Sequence, residues 1–303
     1  MTANKLISSY EKLPPFDKSI LQILSIAYHP LNQTQLRKCL IQADIKTVNG
    51  EGFDSVTRNG AFKLLRPTLD MFLKEGFLEG KTRSRLYVDR RIVEIIMRQA
   101  IAAKKFRPYL EAVQTTLHLT EETLGTNSPL KQDHLIAAIR ILFYQKKMDQ
   151  IKSIYRTYNK RIDYVDSLSA ILGEISCNPF DITWVQLLPA DVHTELFHQP
   201  LIDDLIYWQN KAEHFDYVEQ LVLSDSDRCE APLQAVVLEK WMLTEKNNLV
   251  KNWLKNHQTD DTENSLCLRG WMAFLQGKNK KAIQYYEAAY EILKKNSKKR
   301  KPY

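Results

Sequence analysis

Apolar residues recur at helical spacing along almost the whole chain. After Pro14-Pro15, which interrupt the N-terminal segment, Phe16, Ile20, Leu21, Ile23, Leu24 and Ala27 define a helix with a broad apolar face, closed by His29-Pro30. Asn32 can cap the next helix, with Gln35 completing a capping box and Leu36, Cys39 and Leu40 turned inward. Ala43 to Gly60 reads as a loop around Gly50-Glu51-Gly52. Phe62, Leu65, Leu69, Phe72 and Leu73 then repeat at helical spacing up to Gly76, a good terminator. Pro67 falls inside that pattern, so this helix either begins near Arg66, placing Arg66, Thr68 and Asp70 at its leading end, or kinks there.

From Phe77 to Val88 the pattern changes to a short two-strand hairpin, with Leu86 and Val88 directed one way and Arg85, Tyr87 and Asp89 the other. Its tip carries Lys81, Arg83 and Arg85. Helices followed by a basic hairpin look like a winged helix-turn-helix, in which a groove-reading helix lies beside a cationic loop. On this reading Lys81, Arg83 and Arg85 neutralise phosphates of duplex DNA, while Lys63, Arg66 and Thr68 approach the groove.

Beyond Arg91 the pattern is helix after helix, with connectors containing Pro108, Pro129, Pro179, Pro189, Pro200 and Pro232. In the last pair Leu266, Gly270, Ala273, Gly277, Ala282, Tyr286 and Ala289 match the small and large positions of a tetratricopeptide repeat. Weaker copies run through Ile151, Tyr155 and Tyr158, and through Leu205, Trp208, Ala212, Phe215, Val218 and Leu221. Such units have no core of their own and must stack, usually around a concave groove. Trp208, Tyr217, Trp241 and Trp271 are the candidates to line it for a protein partner. The expected architecture is therefore mainly α: a winged helix-turn-helix over residues 1–90, then an α-helical tetratricopeptide-like array over 91–303 with a basic C-terminal segment.

Charge sharpens this picture. The net +7 hides a segregation: Arg58–Arg107 holds 13 Lys or Arg against 5 acids, Lys278–Lys301 holds 9 against 2, and Arg161–Glu230 holds 3 against 14. The first basic block coincides with the hairpin, as phosphate binding requires. A 44% apolar content supports real cores, and nine glycines with eleven prolines favour long helices over an all-strand fold. The N-terminus lacks the apolar stretch of a secretory signal, and the longest apolar runs, such as Leu135–Ile139, are far too short for a membrane span. A cytoplasmic protein is expected, nucleoid-associated if it binds DNA, with no membrane contact.

Catalytic groupings are missing from the sequence. No glycine-rich loop ending in lysine occurs to cradle phosphate, and Gly173-Glu174-Ile175-Ser176 does not set a serine between two glycines. His193 and His198 are five apart, which directs them about 140° from each other on a helix and argues against shared metal ligation. Asp203-Asp204 and Asp225-Ser226-Asp227 lack the ligand alternation of a calcium loop. Cys39, Cys177, Cys229 and Cys267 have no paired spacing and read as reduced, buried, small apolar residues. No cofactor and no metal is expected, and the chain reads as a binding module rather than an enzyme.

The order of winged helix, degenerate helical repeats and the basic segment Lys294-Lys295-Asn296-Ser297-Lys298-Lys299-Arg300-Lys301 resembles the N-terminal region of long bacterial helicase-like proteins of the Swi/Snf class. That resemblance implies an accessory piece that helps place an ATPase motor on DNA or docks a partner, without hydrolysing ATP itself. A second resemblance is to bacterial transcription activators that join a winged helix to tetratricopeptide-like repeats. Those begin with strands, whereas this chain begins with a helix. A third possibility is a pure protein-interaction adaptor that never meets nucleic acid.

Overall fold

The computed structural model describes residues 3–80, 85–117, 132–159, 166–188, 192–207, 213–224, 229–256 and 263–299. Among these the protein is mainly α, with sixteen helices and two short strands. It divides into two compact units, residues 1–179 and 180–303. Each is described by itself.

The first unit opens with α1 (Ala3–Glu11) and α2 (Pro15–Ala27). Pro15 sits in the first turn of α2, where its missing N–H costs nothing, and Tyr28 ends the helix in the left-handed conformation at φ 45°. Every residue of α2 from Ser19 to Ala27 is buried, because α3 (Gln33–Gln42), α5 (Val93–Ala102), α6 (Phe106–Leu117) and β2 (Tyr87–Val88) all pack on it. The apolar face visible in the sequence is thus only part of what is enclosed. Asn32 caps α3 with the reciprocal bonds of a capping box: Gln35 N–H to Asn32 Oδ1 at 2.8 Å, and Asn32 N–H to Gln35 Oε1 at 3.0 Å.

The following connection is pinned by Arg37, whose Nη2 donates to the Phe53 and Val56 carbonyls, both at 2.9 Å. It ends sooner than the sequence suggests. Helix α4 (Arg58–Glu75) is capped by Thr57, whose side chain accepts from Gly60 N–H, and it runs through Pro67 to Gly76, the latter left-handed at φ 78°. Strand β1 (Leu78–Glu79) then pairs antiparallel with β2 in the register Leu78 to Val88 and Glu79 to Tyr87. Leu31, between α2 and α3, bridges Leu86 through two 3.0 Å backbone bonds, tying the chain ahead of α3 to the hairpin.

The unit continues well past Arg90. Glu94 and Arg98 of α5 are buried and hold α7 (Gln132–Tyr144) and α9 (Leu168–Cys177) in place, with α8 (Met148–Asn159) packed on α7. Arg140 Nε donates to Glu94 Oε1 at 2.7 Å, Tyr144 Oη donates to Oε2 at 2.5 Å, and the Arg140 guanidinium lies 3.7 Å from the centre of the Tyr28 ring. Arg98 donates to the carbonyls of Ile175 at 2.8 Å and Pro179 at 2.9 Å.

The second unit contains α10 (Ile182–Gln186), α11 (His193–Tyr207), α12 (Glu213–Ser224), α13 (Ala231–Leu243), α14 (Asn247–Asn256), α15 (Glu263–Leu275) and α16 (Asn279–Lys299). Helix α13 is its centre, touched by α11, α12, α14 and α15, with Leu233, Val237, Leu238 and Trp241 enclosed. The α15–α16 pair approaches closely at Gly270, where a Cβ would meet the Tyr286 ring at 3.0–3.2 Å, and buries Ala273, Ala282 and Ala289. Two of the prolines expected in connectors, Pro108 and Pro232, stand in first helical turns, and Pro200 lies inside α11. Pro129 and Pro189 lie outside the described residues. No helix among the described residues is long and apolar enough to cross a membrane.

Candidate nucleic-acid interface

Helix α4 has two unlike faces. Ala61, Leu65, Leu69 and Phe72 are buried, while Asn59, Lys63, Arg66, Pro67, Asp70 and Lys74 are exposed and fall within about 100° of the helix circumference. Pro67 is tolerated because it lies on the outer stripe, where solvent can reach the Lys63 carbonyl that lacks its helical partner. The helix does not begin near Arg66 but runs unbroken from Arg58 to Glu75 with Pro67 inside it. Arg66, Thr68 and Asp70 are therefore mid-helix rather than at the leading end, which belongs to Thr57, Arg58 and Asn59. Sequence reading missed this start because no apolar residue precedes Ala61 closely enough to mark the first turn.

The six residues singled out for DNA are not all brought together. Lys63 and Arg66 share the exposed stripe, with Arg66 Nε 3.9 Å from Asp70, both side chains about half exposed. Such a pair is weak enough to be exchanged for a phosphate. Thr68 lies on the flank of α4 turned to α2, half-buried, with its hydroxyl 3.3 Å from the Asp17 carboxylate, so it does not approach a groove. Burial against α4 raises the pKa of Asp17 above the usual carboxylate value, an effect the Thr68 bond partly offsets. Arg85 is exposed beside β2. Lys81 and Arg83 lie outside the described residues.

The sequence reading also overstates the basic block. Arg98 is buried on main-chain carbonyls, and Arg91 is held by Asp89 in a salt bridge of 2.5 Å. That bond holds the Asp89 carboxyl below its ordinary pKa. Arg58 donates to Thr34 Oγ1 at 2.9 Å. Among the described residues, the other exposed cations on α4 and next to the hairpin are Lys63, Arg66, Lys74, Arg85 and Arg90.

In the second unit the four residues expected to line a groove also part company. Trp241 is fully enclosed, with its indole N–H donating to Glu219 at 2.5 Å, so it is a core residue. Trp271 is half-buried, and Trp208 lies outside the described residues. Only Tyr217 borders an open cleft, of about 720 Å³. Its ring also packs against Phe180, His193 and Phe197 at 5.8–6.0 Å, which makes His193 a core histidine. Nearby, His214 Nε2 lies 3.0 Å from Asp204; burial lowers the histidine's pKa and raises the aspartate's. No group of three or more His, Cys, Asp or Glu is placed to hold a metal ion among the described residues. Cys39 and Cys229 are buried, Cys177 is half-buried, and Cys267 is exposed, the last against its expected burial. The chain matches no family model, no curated protein and no solved structure.

Proposed function

We propose that this protein is a non-catalytic DNA-binding and protein-interaction module, with a winged helix in its first unit and a tetratricopeptide-like helical scaffold in its second. The observation that carries the nucleic-acid half is the exposed stripe Lys63, Arg66 and Lys74 on α4, the helix that runs directly into the β1–β2 hairpin with Arg85 beside it. The order α2, α3, α4, β1, β2 supports it, since helices run into a two-stranded hairpin and the Leu31–Leu86 bridge ties that hairpin to the chain ahead of α3. In this reading α4 enters the major groove and Lys81, Arg83 and Arg85 track the phosphates. The close α15–α16 pairing at Gly270 supports a stacked repeat in the second unit. As an accessory piece of a helicase-like translocase the chain would place a motor that it does not itself contain, working in the cytoplasm at the nucleoid.

A gel-shift series with random duplex DNA at low salt tests the reading. The protein should retard the duplex, and the charge reversal Lys63→Glu/Arg66→Glu should abolish the shift without changing the melting temperature, since both side chains are exposed. The alternative of a pure adaptor draws on the Arg66–Asp70 pair and the inward turn of Thr68. It requires no shift at any salt, with partners retained after nuclease treatment.

A further inference from the structure

We propose that the cleft between α10 and α12 binds a basic peptide segment of a partner protein, one that presents a Lys or Arg next to an apolar side chain. This rests on the protein-interaction half of the preceding reading and gives that half a partner chemistry. The cleft measures about 720 Å³ and opens to solvent, within the usual size range for a binding site. Phe180, Ile182, Tyr217 and Leu221 line its apolar part, and Glu213 and Asp216 stand on its rim one turn apart on α12. Both carboxylates are exposed, and no lysine or arginine lines the cleft among the described residues.

Three properties converge on that occupant. First, rim carboxylates on a cleft whose described lining residues include no lysine or arginine repel phosphate and attract an ammonium or guanidinium, and the wider stretch Arg161–Glu230 carries 14 acids against 3 bases. Second, Phe180, half-buried, and Tyr217, 9% exposed, line the cleft with their rings 5.8 Å apart at 48°, and an aromatic face attracts a cation through its quadrupole. A Lys or Arg suits both at once, because its methylene stem packs on the rings while its head reaches the carboxylates. Third, Ile182 is 47% exposed at the cleft, an apolar surface that a neighbouring leucine or valine of the peptide would cover. A bare polyamine or an isolated cation would leave that surface wet. A metal is disfavoured because Asp181 already caps α10, its carboxylate accepting from Trp184 N–H and Thr183 Oγ1.

Fluorescence anisotropy with the full chain tests this, using a labelled peptide of Lys and Leu in amphipathic order, its Glu–Leu counterpart, and a Lys–Gln peptide of equal charge. The Lys–Leu peptide should bind at physiological salt, the Glu–Leu peptide should not, and the Lys–Gln peptide should bind at least about tenfold more weakly. Glu213→Lys/Asp216→Lys should weaken the Lys–Leu peptide by about tenfold or more, Glu213→Gln/Asp216→Asn should do so to a smaller degree, and Ile182→Ser should cost several-fold. Equal binding of the Lys–Leu and Lys–Gln peptides, or of wild type and both rim variants, overturns the proposal. Circular dichroism and melting of the variants verify folding, and the neutral rim pair stands in should the lysine pair fail to fold. Duplex DNA binding, measured on the same samples, should persist in the Ile182→Ser and Glu213→Gln/Asp216→Asn variants, so loss of the cleft and loss of the nucleic-acid reading are told apart.

Discussion

Glu94 and Arg140 offer the sharpest test of how the first unit is built. Their side chains are 6% and 1% exposed, they meet at 2.7 Å, and they join α5 to α7 across 46 residues of sequence. Substituting Glu94→Leu leaves the guanidinium enclosed with only the Tyr28 ring and a 3.3 Å contact to the Ser25 carbonyl. Substituting Arg140→Met leaves a buried carboxylate with the Tyr144 hydroxyl as its remaining side-chain donor. Removing one partner of a buried pair costs about 3–5 kcal/mol, because the survivor keeps its desolvation penalty without its attraction. With a urea slope of about 1–3 kcal/mol/M, either single variant should lower the denaturation midpoint by roughly 1–5 M. The double variant Glu94→Leu/Arg140→Met removes both penalties and should be more stable than either single one. Equilibrium urea unfolding followed by circular dichroism gives all four values. Single losses under about 1 kcal/mol, or a double variant no more stable than the single ones, would refute the enclosed pair.

Two further outcomes follow from local geometry. Gly270→Leu should destabilise the second unit by about 1–3 kcal/mol, since its Cβ would already stand 3.0 Å from the Tyr286 ring, and Tyr286→Ala in the same chain should recover part of the loss in a thermal melt. Asp89 titrates below its ordinary value because Arg91 bonds it, so its contribution is fully present above about pH 4 and is lost as pH falls through its lowered folded pKa. Melting temperatures of wild type and Asp89→Asn should accordingly converge between pH 7 and pH 3; a constant gap would contradict the assignment.

Local signals in the sequence were legible where one residue decides the backbone. Asn32 with Gln35 marked the start of α3, Gly76 marked the end of α4, and the apolar periodicity of α2 marked a core helix. What failed were features set by distant partners. Glu94, Arg98 and Arg140 look like surface charges in sequence, and only packing among α2, α5, α7 and α9 encloses them. Thr68 was misread for a related reason: without the start of α4 at Thr57 its helical phase is unknown, and its turn toward Asp17 cannot be seen. Trp241 illustrates the opposite error, an aromatic taken for a binding surface that the surrounding helices bury completely. The α10–α12 cleft was invisible because its walls come from separate segments, and among its lining residues only Tyr217 and Leu221, both on α12, carried a recognisable signal.

The most direct test of the DNA-binding proposal is the salt dependence of duplex affinity. With random duplex DNA titrated across a range of salt, log affinity should fall linearly with log salt, and each of Lys63→Ala, Arg66→Ala and Arg85→Ala should reduce the slope by about 0.9, the share of one phosphate contact. A chain that binds no duplex at low salt, or three variants with the wild-type slope, would show that the α4 stripe and the adjoining hairpin do not contact nucleic acid.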